Sequence, residues 1–212
     1  EGLFQAYKAL RDSDEYLQLD ESQRKVIDNT LRDFTLSGVA LPPEKKKRFA
    51  QIQARLSELS STFSNNVMDA TMGWTKHITD ESELAGLPES ALAAAQQAAH
   101  QKDLQGWLFT LDIPSYLPVM LYADNRALRE EMYRAYATRA SEQGPNAGEW
   151  DNTAIINETL ALRSEIASLL GFASYAERSL ATKMANSTSQ VVGFLRDLAA
   201  KSKPQAEKEL AE

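Results

Sequence analysis

The chain has no cysteine and only two histidines among its 212 residues. The lack of cysteine excludes disulfides and thiolate metal sites and is typical of a reducing compartment, so we expect a cytoplasmic protein. The two histidines, His77 and His100, lie far apart, and no His-Glu-x-x-His segment exists. That segment places two zinc ligands one helical turn apart, with a Glu beside them as general base. We therefore predict no catalytic, cofactor-binding or metal-ligating residue here, and no activity from this chain alone.

Long apolar runs and an excess of positive charge are also missing. No apolar run approaches the roughly 20 residues that cross a bilayer, and no basic segment followed by an apolar one opens the chain, so no membrane partner is expected. The net charge is -7, which disfavours nucleic acid as a partner because phosphate binding relies on clustered Lys and Arg. The sequence contains no G-x-x-x-x-G-K, G-x-G-x-x-G or G-x-S-x-G, which excludes the common phosphate-binding loops and the hydrolase elbow.

Helical periodicity dominates what is present. Asp20 and Gln23 predict a capping box at the start of a helix that ends near Gly38. From Pro43 to Ala70, apolar residues recur at steps of three and four, which predicts one long amphipathic helix. Further helix starts are predicted at Pro88, Asp124, Asp151, Ser174 and Ser187.

Two segments instead alternate apolar and polar residues at a period of two. They are residues 74–79 and 107–113, and the economical arrangement pairs them as antiparallel strands. Pro114 and Pro118 are interpreted as breakers of that pattern. The sequence thus predicts an all-α, multi-helix domain with a small two-stranded antiparallel ribbon, contiguous over residues 1–212 with no internal boundary.

The polar clusters each have a functional and a structural interpretation. Arginine side chains of one predicted helix could bind the carboxylates of a peptide, but ion pairs with Glu130, Glu131 and Glu142 are favoured; these arginines are Arg126, Arg129, Arg134 and Arg139. The basic residues 45–48 could bind an anion at a helix start, but a solvated face is favoured. His77 and His100, each with an Asp three residues on, are interpreted as structural or solvated. The three tryptophans are interpreted as core anchors.

Several segments together resemble the thimet oligopeptidase-like family of zinc metallopeptidases. They are LSELS at 56–60 with Phe63 and Asn66, ELAGLP at 83–88, LDIPSYLP at 111–118, Asn125-Arg126 with Thr138-Arg139, Leu162-Arg163 with ASLLGF at 167–172, and KMA at 183–185. Their order and spacing carry the resemblance, which extends from about residue 40 to the end of the chain. It implies a larger, mostly helical, monomeric peptidase that cuts short unstructured peptides in a deep channel by zinc-assisted hydrolysis.

The resemblance also implies that the zinc ligands and the catalytic Glu belong to a later segment. The chain begins without Met and stops inside a helix-favouring stretch, so we interpret it as the N-terminal-side portion of a longer zinc peptidase. This portion is expected to bind no zinc itself and to supply framework and a wall of the channel. The alternative is an all-helical interaction or scaffold domain with no hydrolytic role.

Overall fold

The structure is a computed structural model that describes residues Glu1–Glu212. It contains ten α-helices, a short 3-10 helix at Glu81–Leu84 and one antiparallel sheet of two strands, which confirms the predicted fold class. The helices are α1 (Gly2–Arg11), α2 (Asp14–Gln18), α3 (Glu21–Leu36), α4 (Pro43–Met72), α5 (Glu89–His100), α6 (Ile113–Tyr122), α7 (Arg126–Ala137), α8 (Thr153–Leu169), α9 (Tyr175–Leu180) and α10 (Thr188–Ala211). The strands are β1 (Thr75–Ile78) and β2 (Trp107–Thr110). No helix combines the length and the apolar character that crossing a bilayer requires.

The chain divides into two compact units. Unit 1 contains Glu1–Leu56 and Leu160–Glu212, and unit 2 contains Ser57–Thr159. The division points lie inside helices α4 and α8, and neither has a Pro or Gly that would indicate a linker. The sequence gives no sign of this division, and the single contiguous domain stays a prediction.

The first three helices of unit 1 meet around one carboxylate. Asp28 of α3 accepts hydrogen bonds from Arg11 Nε at 2.8 Å and Tyr16 Oη at 3.0 Å. The bond from Arg11 is the main cause that lowers the pKa of Asp28. Helix α3 begins with the predicted capping box, since Asp20 accepts from the Gln23 amide and Gln23 accepts from the Asp20 amide. Helices α1 and α2 were not predicted from the sequence; α2 has only five residues, whereas α1 does repeat apolar residues at helical spacing, at Leu3, Tyr7 and Leu10.

The core of unit 1 lies where α4 meets α8. Phe49 and Ile52 of α4 pack with Ile166 of α8, and all three are buried. Partly buried leucines surround them: Leu41, Leu56, Leu162, Leu169 and Leu170. The apolar repeat of the long helix thus faces this core over the helix's first half.

Unit 2 contains the two-stranded sheet. Thr75 pairs with Thr110 and Ile78 pairs with Trp107, which confirms the predicted antiparallel arrangement. Gly106 precedes β2 with φ +92°, and a Cβ there would lie 2.4 Å from the carbonyl oxygen of Ile78. Only glycine fits this close approach between the strands. The predicted alternation in 107–113 is wrong in part, because Leu108 and Phe109 are both buried.

Residues 113–122 form a helix, α6, that the sequence pattern did not predict. Pro114 lies in its first turn, where no backbone donor is needed, and the Asp112 carbonyl accepts from the amides of Ser115 and Tyr116. Pro118 lies inside the helix and removes a single intrahelical bond. Strand β2 ends at Thr110, before both prolines, but the interpretation of Pro114 and Pro118 as breakers of the strand pattern did not include the helix that contains them. Buried residues of α5, β2, α6 and α7, with Trp74, form the core of unit 2.

Most predicted helix starts agree with the structure. Ser174 and Ser187 accept hydrogen bonds from the amides of Glu177 and Gln190, three residues on. Helix α7 is capped by Asn125, whose side chain accepts from the Leu128 amide, so the predicted cap at Asp124 is wrong by one residue. An Asn cap satisfies the same orphan amide as an Asp cap, so the two neighbours cannot be told apart from the sequence.

Candidate functional site

The two histidines lie on different elements of unit 2. His77 is on β1, and its Nε2 lies 2.6 Å from the carbonyl oxygen of Gln105, to which the protonated ring nitrogen can donate. His100 is the last residue of α5. Hydrogen bonding from the Ser82 side chain is the main cause that lowers the pKa of Asp80, and the Ser82 amide, which donates to Asp80 Oδ1, lowers it further. No group of three or more His, Cys, Asp or Glu side chains is placed to hold a metal ion. The structural interpretation of both histidines stays a prediction.

The basic residues 45–48 lie in the first turns of α4, in unit 1. Arg48 makes two hydrogen bonds to Glu165 of α8, with Nε to Oε1 at 2.6 Å and Nη2 to Oε2 at 2.7 Å. Hydrogen bonding to Arg48 is the main cause that lowers the pKa of Glu165. Lys46 forms a longer ion pair with Glu1 at 3.5 Å. The one guanidinium of this cluster thus joins α4 to α8 and is not left to bind an external anion.

The arginines of α7 and the turn after it do not pair with the predicted glutamates. Arg129 donates to the backbone carbonyls of Ala123 and Asp124. Glu131 instead pairs with Lys76 at 2.7 Å, and Glu142 accepts from Thr153 at 3.1 Å. The predicted ion pairs were therefore wrong, because carbonyl groups exposed at the ends of short helices compete for the guanidinium.

Arg139 belongs to an aromatic stack in unit 2. The rings of Tyr116 on α6 and Tyr136 on α7 are stacked with centroids 4.2 Å apart, and the Arg139 guanidinium lies 3.7 Å from the Tyr136 centroid. Arg139 also donates to Thr71 Oγ1 at 2.7 Å and to the Tyr136 carbonyl at 2.9 Å. Burial is the main cause that raises the pKa of Tyr116. The stack joins α4, α6 and α7, so Arg139 has a positioning role within the fold.

Asn152 is the only buried polar residue of the chain. Its Oδ1 accepts from Asn66 Nδ2 at 2.8 Å, its Nδ2 donates to the Phe63 carbonyl at 3.2 Å, and its backbone amide donates to the Ala140 carbonyl at 3.0 Å. These three bonds attach the start of α8 to α4 and to the loop after α7. The sequence marked Asn66 only through the family resemblance and did not single out Asn152.

Two stripes of apolar side chains are left exposed. In unit 2, α6 contains no charged residue, and Ile113, Leu117 and Leu121 recur every four residues along its outer side with about half of each exposed. In unit 1, Phe194, Leu195 and Leu198 of α10 are similarly exposed. We name these sets the α6 stripe and the α10 stripe. Exposed stripes of this kind mark surfaces that contact another part of a protein or a ligand.

Two open cavities lie in unit 2. One has a volume of about 510 Å³ and lies between the alanine-rich side of α5 and β2, with Thr110, Asp112 and Ser115 as its polar lining. The other, of about 480 Å³, is lined by Trp74, Glu130, Glu131 and Arg134 and by the loop residues Gly144 and Pro145. Both can accommodate peptide side chains, and in the first cavity Thr110 Oγ1 donates to Asp112 Oδ2 at 3.2 Å.

Sequence comparison with protein families matches both ends of the chain. Residues 1–46 match the N-terminal domain of neurolysin and thimet oligopeptidase, and residues 119–212 match peptidase family M3. The chain is similar to peptidase family M3 over residues 119–212. This confirms the family resemblance found in the sequence.

The curated relatives match most or all of this chain. It is 64% identical to oligopeptidase A of Escherichia coli (strain K12) over 212 residues, which is 100% of this chain and 31% of that protein. It is also 64% identical to oligopeptidase A of Haemophilus influenzae over 211 residues, with the same shares covered. A probable cytosolic oligopeptidase A of Arabidopsis thaliana is 48% identical over 190 residues, covering 86% of this chain and 26% of that protein. The chain thus spans about a third of the length of these curated relatives.

Proposed function

We propose that this chain is the helical, non-catalytic part of a longer zinc metallopeptidase that hydrolyses short unstructured peptides. The observation that carries the proposal is the 64% identity to oligopeptidase A over the whole chain, combined with coverage of only 31% of that protein. The match to peptidase family M3 supports the same reaction class.

The side chains of this chain do not fit zinc. A catalytic zinc takes three protein ligands, and the only two histidines lie on β1 and at the end of α5, with His77 Nε2 beside a backbone carbonyl. The proposal therefore assigns the zinc ligands and the general base to residues outside these 212, and we assign no catalytic step to any residue here.

The proposed contribution of the chain is framework and one wall of a peptide channel. The α6 stripe supports this, because a charge-free helix surface contacts peptide side chains or a neighbouring apolar layer without binding ions. The rigid attachment of α6 to α7 and α4 through the Tyr116–Tyr136–Arg139 stack also supports it. A wall restricts entry to unstructured peptides only when its elements keep their positions.

The test begins with the gene that encodes this chain. Its reading frame is expected to contain a His-Glu-x-x-His segment followed by a Glu ligand. The full-length product is expected to bind one zinc by metal analysis and to cut short fluorogenic peptides but not a folded protein. The control is the same protein with the Glu of that motif changed to Gln, which should fold and bind zinc without activity. A reading frame without the motif, or a zinc-free active protein, would refute the proposal.

The wall is tested in that same full-length protein. Replacing Leu117 of the α6 stripe by Ala should change KM or the size limit on peptides and leave zinc content unchanged. The matched control is Leu210, which is almost fully exposed near the end of α10. If both variants cut the same range of peptides with the same KM, α6 does not line the channel.

We further propose a cytoplasmic, monomeric protein. The name of the Arabidopsis relative, probable cytosolic oligopeptidase A, and the absence of cysteine support the location. Cell fractionation and light scattering on the full-length protein test the two statements. Recovery in a membrane or secreted fraction would contradict the first, and a dimer mass the second.

A further inference from the structure

Arg178 of α9 has the only buried side-chain nitrogen or oxygen in the chain that lacks a hydrogen-bond partner. The atom is Nε, one of the five donors of the guanidinium group. Leaving a shielded donor without an acceptor costs free energy, and the cost is larger for a charged group. A donor of this kind indicates that the side chain is arranged for an acceptor that these residues do not supply.

A second arginine lies against the same aromatic ring. The Tyr175 centroid is 5.1 Å from Cζ of Arg163, which belongs to α8, and 5.5 Å from Cζ of Arg178. Cation–π attraction therefore holds both guanidinium groups at one ring. Neither makes a hydrogen bond or an ion pair, so two positive charges lie close together without an acidic partner.

The neighbouring charged side chains do not neutralise this pair. Glu177 accepts from the Ala173 amide at 3.2 Å, and Glu165 is bound by Arg48. Lys183 donates to Ser179 Oγ at 2.8 Å and adds a further positive charge next to α9. The local excess of cations contrasts with the acidic net charge of the whole chain.

We propose that Arg163, Tyr175 and Arg178 form a carboxylate-binding site. The planar fork of a guanidinium matches the two oxygens of a carboxylate, and such paired, charge-assisted bonds are about twice as strong as neutral ones. The Arg178 guanidinium lies near the ring and its Nε has no acceptor, so a carboxylate that accepts from Nε and Nη together supplies hydrogen bonds that the ring does not. The source of the carboxylate is either a free ligand or an acidic side chain of the same polypeptide. The site does not depend on the proposed peptidase activity.

The test uses nuclear magnetic resonance of the arginine Nε–H groups in the 212-residue chain. Titration with glutarate, against sodium chloride at equal ionic strength, should shift the Arg163 and Arg178 signals in a saturable way. R163Q and R178Q should weaken glutarate binding about tenfold or more. R178K should also weaken it, because lysine keeps the charge but lacks the fork. The matched control R196Q removes an exposed arginine of α10 that makes no ion pair, and it should bind as the unchanged chain does.

Two further variants separate the ring's contribution from a folding defect. Y175F keeps the aromatic face and should retain binding, whereas Y175L should weaken it, with backbone amide spectra unchanged away from α9. Shifts that do not saturate, equal losses in R196Q and R178Q, or tighter binding of inorganic phosphate than of glutarate would each overturn the carboxylate assignment.

Calorimetry on the longer polypeptide proposed above distinguishes the two sources. If glutarate binds there as it binds the 212-residue chain, the site takes a free carboxylate. If glutarate no longer binds and R178Q lowers Tm more than R196Q does, an acidic side chain of the polypeptide occupies the site. The absence of both effects would overturn the proposal, whether or not the polypeptide cuts peptides.

Discussion

The buried amide of Asn152 allows a quantitative test of what holds unit 2 together. Its side chain makes two hydrogen bonds, one from Asn66 and one to the Phe63 carbonyl. Each contributes about 1 kcal/mol net, and truncation also leaves the Asn66 donor and the Phe63 acceptor without this partner. We therefore expect N152A to lower the free energy of unfolding by about 2–4 kcal/mol. N66A removes only one bond and should cost about 1–2 kcal/mol.

The assay is urea unfolding followed by tryptophan fluorescence, because Trp74, Trp107 and Trp150 all lie in unit 2. A double-mutant cycle with N66A and N152A should give a coupling energy of about 1 kcal/mol. N157A, at an exposed position of α8, is the matched control and should change stability by less than about 0.5 kcal/mol. A coupling energy near zero, or an N152A loss no larger than that of N157A, would refute the assignment.

Three other outcomes are expected. I52A empties a fully buried position of unit 1 and should cost about 2–5 kcal/mol in urea unfolding. G73A places a Cβ 2.2 Å from the ring of Trp150 and should lower Tm, with a cost of about 1–3 kcal/mol. In the W150A background, which removes the ring, the same substitution should cost less. Hydrogen bonding to Arg48 holds the pKa of Glu165 below its ordinary value of 4.5. The ionised carboxylate therefore stabilises the fold fully above pH 4.5, and this stabilisation is lost as the pH falls through the lowered pKa. The stability difference between the unchanged chain and E165Q should therefore shrink below pH 4.5 in pH-dependent unfolding.

Each of these has a control in the chain. L210A truncates an exposed side chain and should leave stability almost unchanged, in contrast to I52A. G148A meets no neighbouring atom, so any loss there comes from its φ of +80° and should not respond to W150A. If E165Q loses stability equally at neutral and acidic pH, the carboxylate charge is not what stabilises the contact.

The elements that depend on local, repeated signals were predictable. The long helix α4 repeats its apolar steps over many turns, and the capping box at Asp20 is formed as the sequence indicates. The strand pairing followed from two segments with the same period. For α4 and the capping box, the signal lies in the same segment as the structure that it predicts.

The missed features depend on position or on distant partners. Pro114 and Pro118 look alike in the sequence, but one occupies a helix start and the other removes only one bond from α6. The carbonyl partners of Arg129 and Arg139 are near in sequence but are not marked by any side-chain pattern, and Thr71 is a distant residue that only folding brings near Arg139. Likewise, the sequence pattern of α10 predicts an apolar face, but it does not predict whether that face is covered, and Phe194 is exposed in the structure.

The sequence predicts no catalytic or metal-ligating residue in this chain, and that statement stays a prediction. Two histidines are too few for the usual ligand set of a catalytic zinc, and this scarcity is visible in the sequence itself. The arrangement of Arg163 and Arg178 around Tyr175 joins residues of two helices that no sequence pattern connects. The feature that marks this arrangement is the unpaired Nε of Arg178, and only the folded structure shows that this donor is buried without an acceptor.

The division of the chain into units has a consequence for the order of folding. Unit 2 is one continuous stretch of sequence, whereas unit 1 needs residues from before and after it. During synthesis from the N-terminus, all of unit 2 emerges before the second part of unit 1 exists. If unit 2 folds first, it shortens the effective loop between Ile52 and Ile166. Closing a shorter loop loses less conformational entropy, so the unit 1 core then forms more easily.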